Sequence, residues 1–486
     1  MRELRGAIIE ENDPSSAGQS DALPVEVARD MLRAVIDQQM TSTIRFHESG
    51  GGSVPEPVAV CVPTGVGKSE AARIGIAAYV EQAKRTYAPA NDSKKKKKKR
   101  KPIPHRVLVL VPTHKLGEEA RQRLPEGITT ALWQSRKATD LATGEPLCLN
   151  LQAVAAAEAI GADVERTACR KGRRGQEPIL CPFYHKCGYQ AQKEAAKYAD
   201  VVFCAHEYMF APPKVLTRKV ELAVIDESFW QAGLSFSHIA VDALDAELQA
   251  FPVRNNGHEK NSDDTAHLAD LIDRLKLAVS LAQGEQHIDF PGNYSREDGY
   301  LTRAALLAAG LLPGDKYEPG SGAAAAKLEW RRKVEVDLTP QSSEETAKAR
   351  AKEFRFLGQL GKRAAMWRAI EALLSGSDEA TGRLRIDMKN TKDGAVLCLR
   401  INGRRDIHDR IAALPVLVLD ATLNLEILKY FFPRIAVALD LKVTAPHEHT
   451  TQVVGLPVGK ASLSQLEPGK RSTTEESVSG TSDSVC

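Results

Sequence analysis

Between Pro57 and Arg85 an apolar strand, a glycine-punctuated loop ending in Lys-Ser and a helix follow one another without a break, and no other stretch limits the fold of this chain so narrowly. PVAVCVP (57–63) is a continuous apolar run, the pattern of a strand buried on both faces. EAARIGIAAYVEQAKR (70–85) reads as the helix after it. The runs RVLVLVP (106–112), DVVFC (200–204), ELAVID (221–226) and LPVLVLDAT (414–422) repeat the first. Such runs alternating with helices predict a parallel sheet covered on both faces, and so an α/β fold.

The loop itself, PTGVGKS (Pro63 to Ser69), stands where a phosphate cradle needs it, between strand and helix. Gly65 and Gly67 let the backbone fold around an anion with its N–H groups inward, and the helix N-terminus adds partial positive charge. Thr64, Gly65, Val66, Gly67, Lys68 and Ser69 are therefore expected to hold ATP phosphates. Lys68 would reach the β- and γ-phosphates and the Ser69 hydroxyl would bind Mg²⁺. Val62 occupies the position of the first glycine of the general pattern. The plainer alternative is a glycine-rich turn with a surface lysine.

VIDES (Val224 to Ser228) ends a buried strand with two carboxylates. Beside a phosphate loop, Asp226 would hold Mg²⁺ and Glu227 would orient and deprotonate the attacking water, which makes Glu227, Asp226 and Lys68 the candidate catalytic set. An Asp-Glu pair at a strand end can equally cap the next helix.

Eight cysteines argue against a disulfide framework in a reducing compartment. Cys148, Cys169, Cys181 and Cys187 cluster, spaced C-x20-C-x11-C-x5-C. Structural zinc usually takes close C-x2–4-C pairs, so four unevenly spaced thiolates suit an iron–sulfur cluster better. His185 in place of one thiolate is the zinc alternative, and four unrelated free cysteines the plain one. Arg166, Arg170, Lys171, Arg173 and Arg174 lie around them with Phe183, Tyr184 and Tyr189, the cation-and-aromatic mixture that a single strand requires. Packing against the metal group would use the same rings.

A net charge of +3 hides one concentrated block, Lys94 to Lys101 (KKKKKKRK), which is either a loop meeting phosphate or a solvated insertion. At 43% hydrophobic and 27% charged the chain has the balance of a globular protein, and no apolar run is long enough to cross a bilayer. With no cleavable apolar leader at the N-terminus, a soluble cytoplasmic protein without membrane partners is expected. Residues 26–46 show helical spacing at Val27, Met31, Leu32, Val35 and Ile36. One helix is expected over 343–374, with Ser342 and Glu345 as its capping box and Phe354, Leu357, Leu360, Trp367 and Ile370 as its stripe. Residues 383–401 read as a β-hairpin, and the last 17 residues, with eight Ser or Thr, as a disordered tail.

In this order the motifs resemble the iron–sulfur XPD/DinG-like branch of superfamily 2 DNA helicases, in a phage- or plasmid-type variant. PTGVGKS looks like motif I, and LVLVPTHKL (108–116) like motif Ia, whose Pro112 and Thr113 would contact the tracking strand. CPFYHKCGYQAQKEAAKYADVVFCAHEYMF (181–210) matches the segment joining the last cluster cysteines to the DEAH box, VIDES stands for that box, and LDATL (419–423) resembles motif III. The resemblance implies a RecA-like P-loop sheet with a cysteine-rich metal-binding insertion and a mostly helical arch-like insertion. It places the first motor domain at 1–139, 196–231 and 406–456, the cysteine insertion at 140–195, the arch at 232–405 and a tail at 457–486. It implies ATP, Mg²⁺ and a [4Fe-4S] cluster (alternatively Zn²⁺) as cofactors, with Ser69 and Asp226 on Mg²⁺ and the four clustered cysteines on the metal group. Single-stranded or forked DNA is the implied partner, with Arg170, Arg173, Tyr184, His206, Asp420 and Thr422 joining Pro112 and Thr113 in DNA contact or coupling.

Ser228-Phe229 replace the family's Ala-His, and Asp420 stands where motif III usually has Ser. No Q-x-x-G-R-x-x-R arginine-finger motif follows Asp420. The expectation is an ATP-dependent helicase or translocase in replication, repair or mobile-element maintenance. It would lack its second RecA-like lobe, as a fragment, as a frameshifted gene product or as a subunit completed by a second polypeptide. The alternative is a non-motor, metal-stapled nucleic-acid-binding accessory protein on a P-loop fold.

Overall fold

The computed structural model describes residues 22–49, 53–86, 106–140, 143–172, 175–217, 219–285, 299–391 and 394–443. The Lys94–Lys101 block, Arg173, Arg174 and the Ser/Thr-rich tail lie outside the described residues.

Seven parallel strands form the principal sheet: β1 (Val58–Cys61), β2 (Arg106–Val111), β3 (Thr130–Trp133), β4 (Val201–Ala205), β5 (Val220–Asp226), β6 (Val416–Asp420) and β7 (Ala436–Asp440). Their spatial order is β7-β1-β6-β5-β2-β4-β3. The expected α/β class is therefore present, consistent with a RecA-like P-loop arrangement. Strands β2, β4 and β6 are buried along their whole length, as their uninterrupted apolar sequences require. The phosphate-loop strand β1 sits between β7 and β6, with Cys61 level with Asp420, and β6 in turn pairs β5 with Leu419 level with Asp226. Strand ends far apart in sequence thus open onto one edge of the sheet.

Helix α1 (Val25–Glu48) packs beside α2 (Lys68–Thr86), where Gly75 has no room for a Cβ because Ile36 fills the space. Its buried face is Ala28, Leu32, Ile36, Met40 and Ile44, while Val27 and Met31 of the expected stripe are exposed. Gln39 donates to the Val416 carbonyl, 3.3 Å, so α1 is pinned to the sheet by a buried polar contact as well.

The segment after β5 builds a second core. Strands Leu234–Ala240, Gly394–Arg404 and Leu384–Thr391 and the short Gly299–Tyr300 form a four-stranded antiparallel sheet, extending the expected hairpin at both edges. One face of it, with Ile239, Ile386, Leu399 and Ile401, packs against helix residues such as Leu271, Leu275, Trp367 and Ile370. The expected helix over 343–374 is two helices, Glu344–Glu353 and Leu360–Leu374, joined by a 3-10 segment Arg355–Gln359. The break brings Gly358 against the Ala159 carbonyl, closer than any side chain would permit. The cap is Ser343, whose hydroxyl accepts from the Thr346 N–H at 3.2 Å, and the Ser342 hydroxyl instead accepts from the Thr339 N–H at 3.0 Å.

Candidate functional site

The loop after β1 takes the conformation its glycines allow. Gly65 and Gly67 have φ of +87° and +98°, a region open to glycine and costly for other residues, and nothing lies within 4 Å of where a Cβ would sit. Val66 between them is buried, and its carbonyl accepts from Arg29 Nε of α1 at 3.1 Å. Thr64 and Ser69 stay exposed on the open side of the loop.

Lys68 is buried at the first turn of α2, with its ammonium donating to the Val62 carbonyl at 3.0 Å and lying 3.6 Å from Glu227 Oε1. The Ser69 hydroxyl donates to Asp226 Oδ2 at 3.2 Å. Glu227 has φ of +64°, a strained value for a non-glycine residue, and its N–H donates to the Leu419 carbonyl at 2.7 Å. That turn of the chain puts both carboxylates at the same sheet edge as the loop. Burial, and next the Glu227 charge, push the Asp226 carboxyl up to about 6. Its Oδ1 is buried with no hydrogen-bond partner. A carboxylate oxygen in that state beside a serine hydroxyl suits a hard cation such as Mg²⁺, so the residues present fit the ion.

The VIDES segment (224–228) and the LDATL segment (419–423) are joined by a contact that the sequence did not reveal. The Ser228 hydroxyl donates to Asp420 Oδ2 at 2.6 Å, and the Thr422 N–H and hydroxyl engage Asp420 Oδ1 at 2.9 and 3.4 Å. Asp420 is 2% exposed, and its carbonyl accepts the Val62 N–H at 3.0 Å. Asp420 therefore ties the base of the phosphate loop to Ser228. Phe229 is fully buried and packs edge-on to Phe431, Phe432 and His206. His206 Nε2 donates to the Asp226 carbonyl at 2.9 Å, and burial lowers its pKa. It is thus a neutral support beneath the Mg²⁺-type carboxylate, and it is too buried to meet DNA. Thr113 caps α3 (His114–Gln122), accepting the Leu116 N–H, and stands exposed with Pro112.

The cysteines come from short elements. Cys148 precedes helix Leu151–Ala159, Cys169 ends a π-helical turn Glu165–Cys169, Cys181 follows the two-residue strand Ile179–Leu180, and Cys187 caps helix Gly188–Tyr198. The Cys187 thiol donates to the Leu147 carbonyl at 3.5 Å, and the side-chain contact between Cys148 and Cys187 raises the pKa of the first and lowers that of the second. Backbone N–H groups of Gln190, Tyr189 and Leu149 add to that lowering. Cys169 feels the charge of both Cys187 and Arg136. Cys181 donates its N–H to the Cys169 carbonyl at 2.9 Å, and its sulfur lies 3.7 Å from Asn150 Nδ2. The four are thus gathered in one region. Among the described residues, however, no three His, Cys, Asp or Glu side chains are grouped closely enough to hold a metal ion. His185 is exposed and lies against Tyr184 at 5.6 Å between ring centroids.

Of the aromatic side chains beside them, Tyr189 is core, stacked under Arg136 at 4.1 Å and edge-on to Trp133 at 5.3 Å. Phe183 and Arg170 are exposed, and Tyr184 is half-buried. Arg166, Arg170 and Lys171 line a cleft of about 770 Å³ with Lys333 and Leu338 of the segment after β5. Lys171 Nζ donates to the Leu338 carbonyl across it at 3.2 Å.

No protein-family model matches this chain, and no curated protein matches it. A solved structure described as "Truncated XPD" is similar across 85% of this chain and 98% of its own length, at 12% identity and a TM-score of 0.33. A likeness of that order carries no argument about chemistry. What the structure itself defines is an α/β protein whose glycine loop, lysine and paired carboxylates meet at one edge of a parallel sheet. No described helix is long and apolar enough to cross a membrane.

Proposed function

We propose that this chain is an ATP-dependent nucleic-acid motor protein of helicase or translocase type, holding ATP in the loop Thr64–Ser69 and Mg²⁺ on Ser69 and Asp226. The observation that carries the reading is the convergence of Lys68, Ser69, Asp226 and Glu227, with the Asp226 Oδ1 left without a partner. The glycine conformations of the loop and the α2 N-terminus that follows it favour phosphate. Lys68 would exchange its contact to the Val62 carbonyl for phosphate oxygens. Bound Mg²⁺ supplies charge neutralisation on the phosphates. Glu227, released from Lys68, would accept the proton of the attacking water. The Ser228–Asp420 link then stands where a change at the phosphates reaches the segment after β6.

The second part of the proposal is that single-stranded or forked DNA is the partner, in keeping with exposed Pro112, Thr113 and Arg170 and half-buried Tyr184. Cys148, Cys169, Cys181 and Cys187 would have to draw closer than they stand here to hold an iron–sulfur cluster, and what favours that group is the donor chemistry of four cysteines from one short stretch. Titration of the purified chain with a fluorescent ATP analogue tests the first part. Binding that needs Mg²⁺ and is lost in Lys68→Ala is expected. Equal binding in wild type and Lys68→Ala would overturn the reading, and Lys68-dependent binding without turnover in any nucleic acid would leave an accessory protein in place of a motor.

A further inference from the structure

The antiparallel sheet buries one face in the helical core, and among the described residues the other face has exposed side chains at Leu234, Phe236, Arg383, Lys389 and Arg404. Pairing register fixes what that second face carries. Tyr300 lies opposite Arg385, Arg385 opposite Arg400 and Arg400 opposite His238, giving a row of side chains straight across the sheet. Next to it Asn402 lies opposite Phe236, with Arg383 bonded through its carbonyl to the Asn402 N–H at 2.8 Å. Because side chains alternate along a strand, Arg383, Arg385 and Lys389 share this face with Arg400, Arg404, Leu234 and Phe236. Their in-between neighbours Leu384, Ile386, Leu399 and Ile401 are buried in the core on the other side.

Two properties of the face point to its occupant. Its charge is one-sided: five Arg or Lys side chains meet the carboxylates of Asp387, which pairs His238 and Arg400 at 3.5 and 3.7 Å, and of Asp406, which pairs Arg404 at 3.0 Å. Its aromatic groups are paired with cations, Arg400 lying 5.4 Å from the Phe236 ring centre and Arg385 5.4 Å from that of Tyr300. Phe236 is 58% exposed, so much of its ring is open to a partner on this face. Planar rings among arginines on an open sheet offer base stacking and phosphate neutralisation together.

From this face we infer a binding platform for single-stranded nucleic acid, with bases on Phe236 and Tyr300 and phosphates on Arg383, Arg385, Lys389 and Arg400. It extends the nucleic-acid reading above to residues that none of the motifs include. Its location matters for coupling. Strand Leu234–Ala240 begins directly after the 3-10 turn Trp230–Gly233 that follows Asp226–Phe229. At the same end Arg404 donates to the Tyr430 carbonyl in helix Leu425–Phe431, which follows Asp420–Thr422. A strand on the platform therefore lies on segments continuous with both carboxylate-bearing loops.

The test is fluorescence anisotropy of labelled oligo(dT), about 20 nucleotides, with the full chain in the absence of nucleotide, so that the outcome does not depend on the ATP site. Phe236→Ala should weaken binding about 10-fold, a change expected from losing one stacked base. Arg383→Glu with Lys389→Glu should weaken it further and flatten the salt dependence, by about 0.7 in log–log slope for each phosphate no longer neutralised. Both changes are at exposed positions, and far-UV circular dichroism checks that the fold is kept. Undiminished oligo(dT) binding in both variants would overturn the platform. A duplex bound as tightly as the single strand, with Phe236→Ala silent, would overturn it too. So would poly-glutamate binding that the variants abolish while oligo(dT) binding is untouched, which would assign the face to an acidic protein.

Discussion

The nucleotide-type site takes its four reactive side chains from two distant parts of the chain and the cysteine region from one stretch, 148–187, and the two are built in opposite ways. The first hangs on the ends of adjacent parallel strands. β1, β6 and β5 are in register, and the Val62 and Glu227 N–H groups are fixed to the Asp420 and Leu419 carbonyls. The second hangs on a π-helical turn, a two-residue strand and the ends of two short helices. A strand ladder fixes positions before any ligand arrives, whereas short elements need the ligand to complete their order. The nucleotide site should therefore survive emptying, and the cysteine region should not.

The largest effect should come from metal. Protein purified without oxygen should carry iron and sulfide and be brown, and Cys181→Ser or Cys187→Ser should lose both. Colourless protein with one equivalent of zinc would shift the assignment to the zinc alternative, and metal-free protein with an unchanged melting temperature would break the comparison. At the sheet edge, Lys68→Ala should weaken ATP binding about 100-fold or more while leaving the melting temperature within a few degrees. A smaller effect is expected at the link between the two loops. Ser228→Ala removes the donor to buried Asp420 and should cost about 1–3 kcal/mol in denaturant unfolding. No loss there would show that Thr422 alone satisfies Asp420.

The smallest effect is one of pH. The Asp226 carboxyl lies above the ordinary value of 3.8, at about 6, through burial and then Glu227. In the metal-free protein the folded state binds the extra proton between those two values, so this group's contribution to stability is fully present below pH 4 and is lost as pH rises through 6. Mg²⁺ needs the ionised form, so its stabilising effect should grow over the same window. Thermal melts with and without Mg²⁺ across the range should converge at low pH, and Asp226→Asn should remove the difference.

Much of the sheet was legible because its inner strands are all-apolar runs, and the loop because glycines at 65 and 67 and Lys68-Ser69 follow one of them. The edge strands β3 and β7 were not, since TALW is half-buried and AVALD mostly exposed, patterns that no core imposes. The role of α1 was hidden for a related reason. The expected stripe holds at Leu32 and Ile36 but takes in exposed Val27 and Met31, and it misses Ala28 on the buried face and Arg29, which reaches the Val66 carbonyl. Ser228–Asp420 spans 192 residues, and no local rule joins them. The basic sheet face did leave a trace, the alternation of charged and apolar residues in RLRID (383–387), but its meaning depends on the register with strand 234–240.

The central claim is that the sheet edge is a working ATPase site with Glu227 as its base. Steady-state hydrolysis by wild type and Glu227→Gln, each with and without oligo(dT), tests it most directly. The account predicts Mg²⁺-dependent turnover in the wild type that rises with oligo(dT), and a loss of about 10²- to 10⁴-fold in Glu227→Gln with ATP affinity retained. Turnover in Glu227→Gln equal to wild type would contradict it.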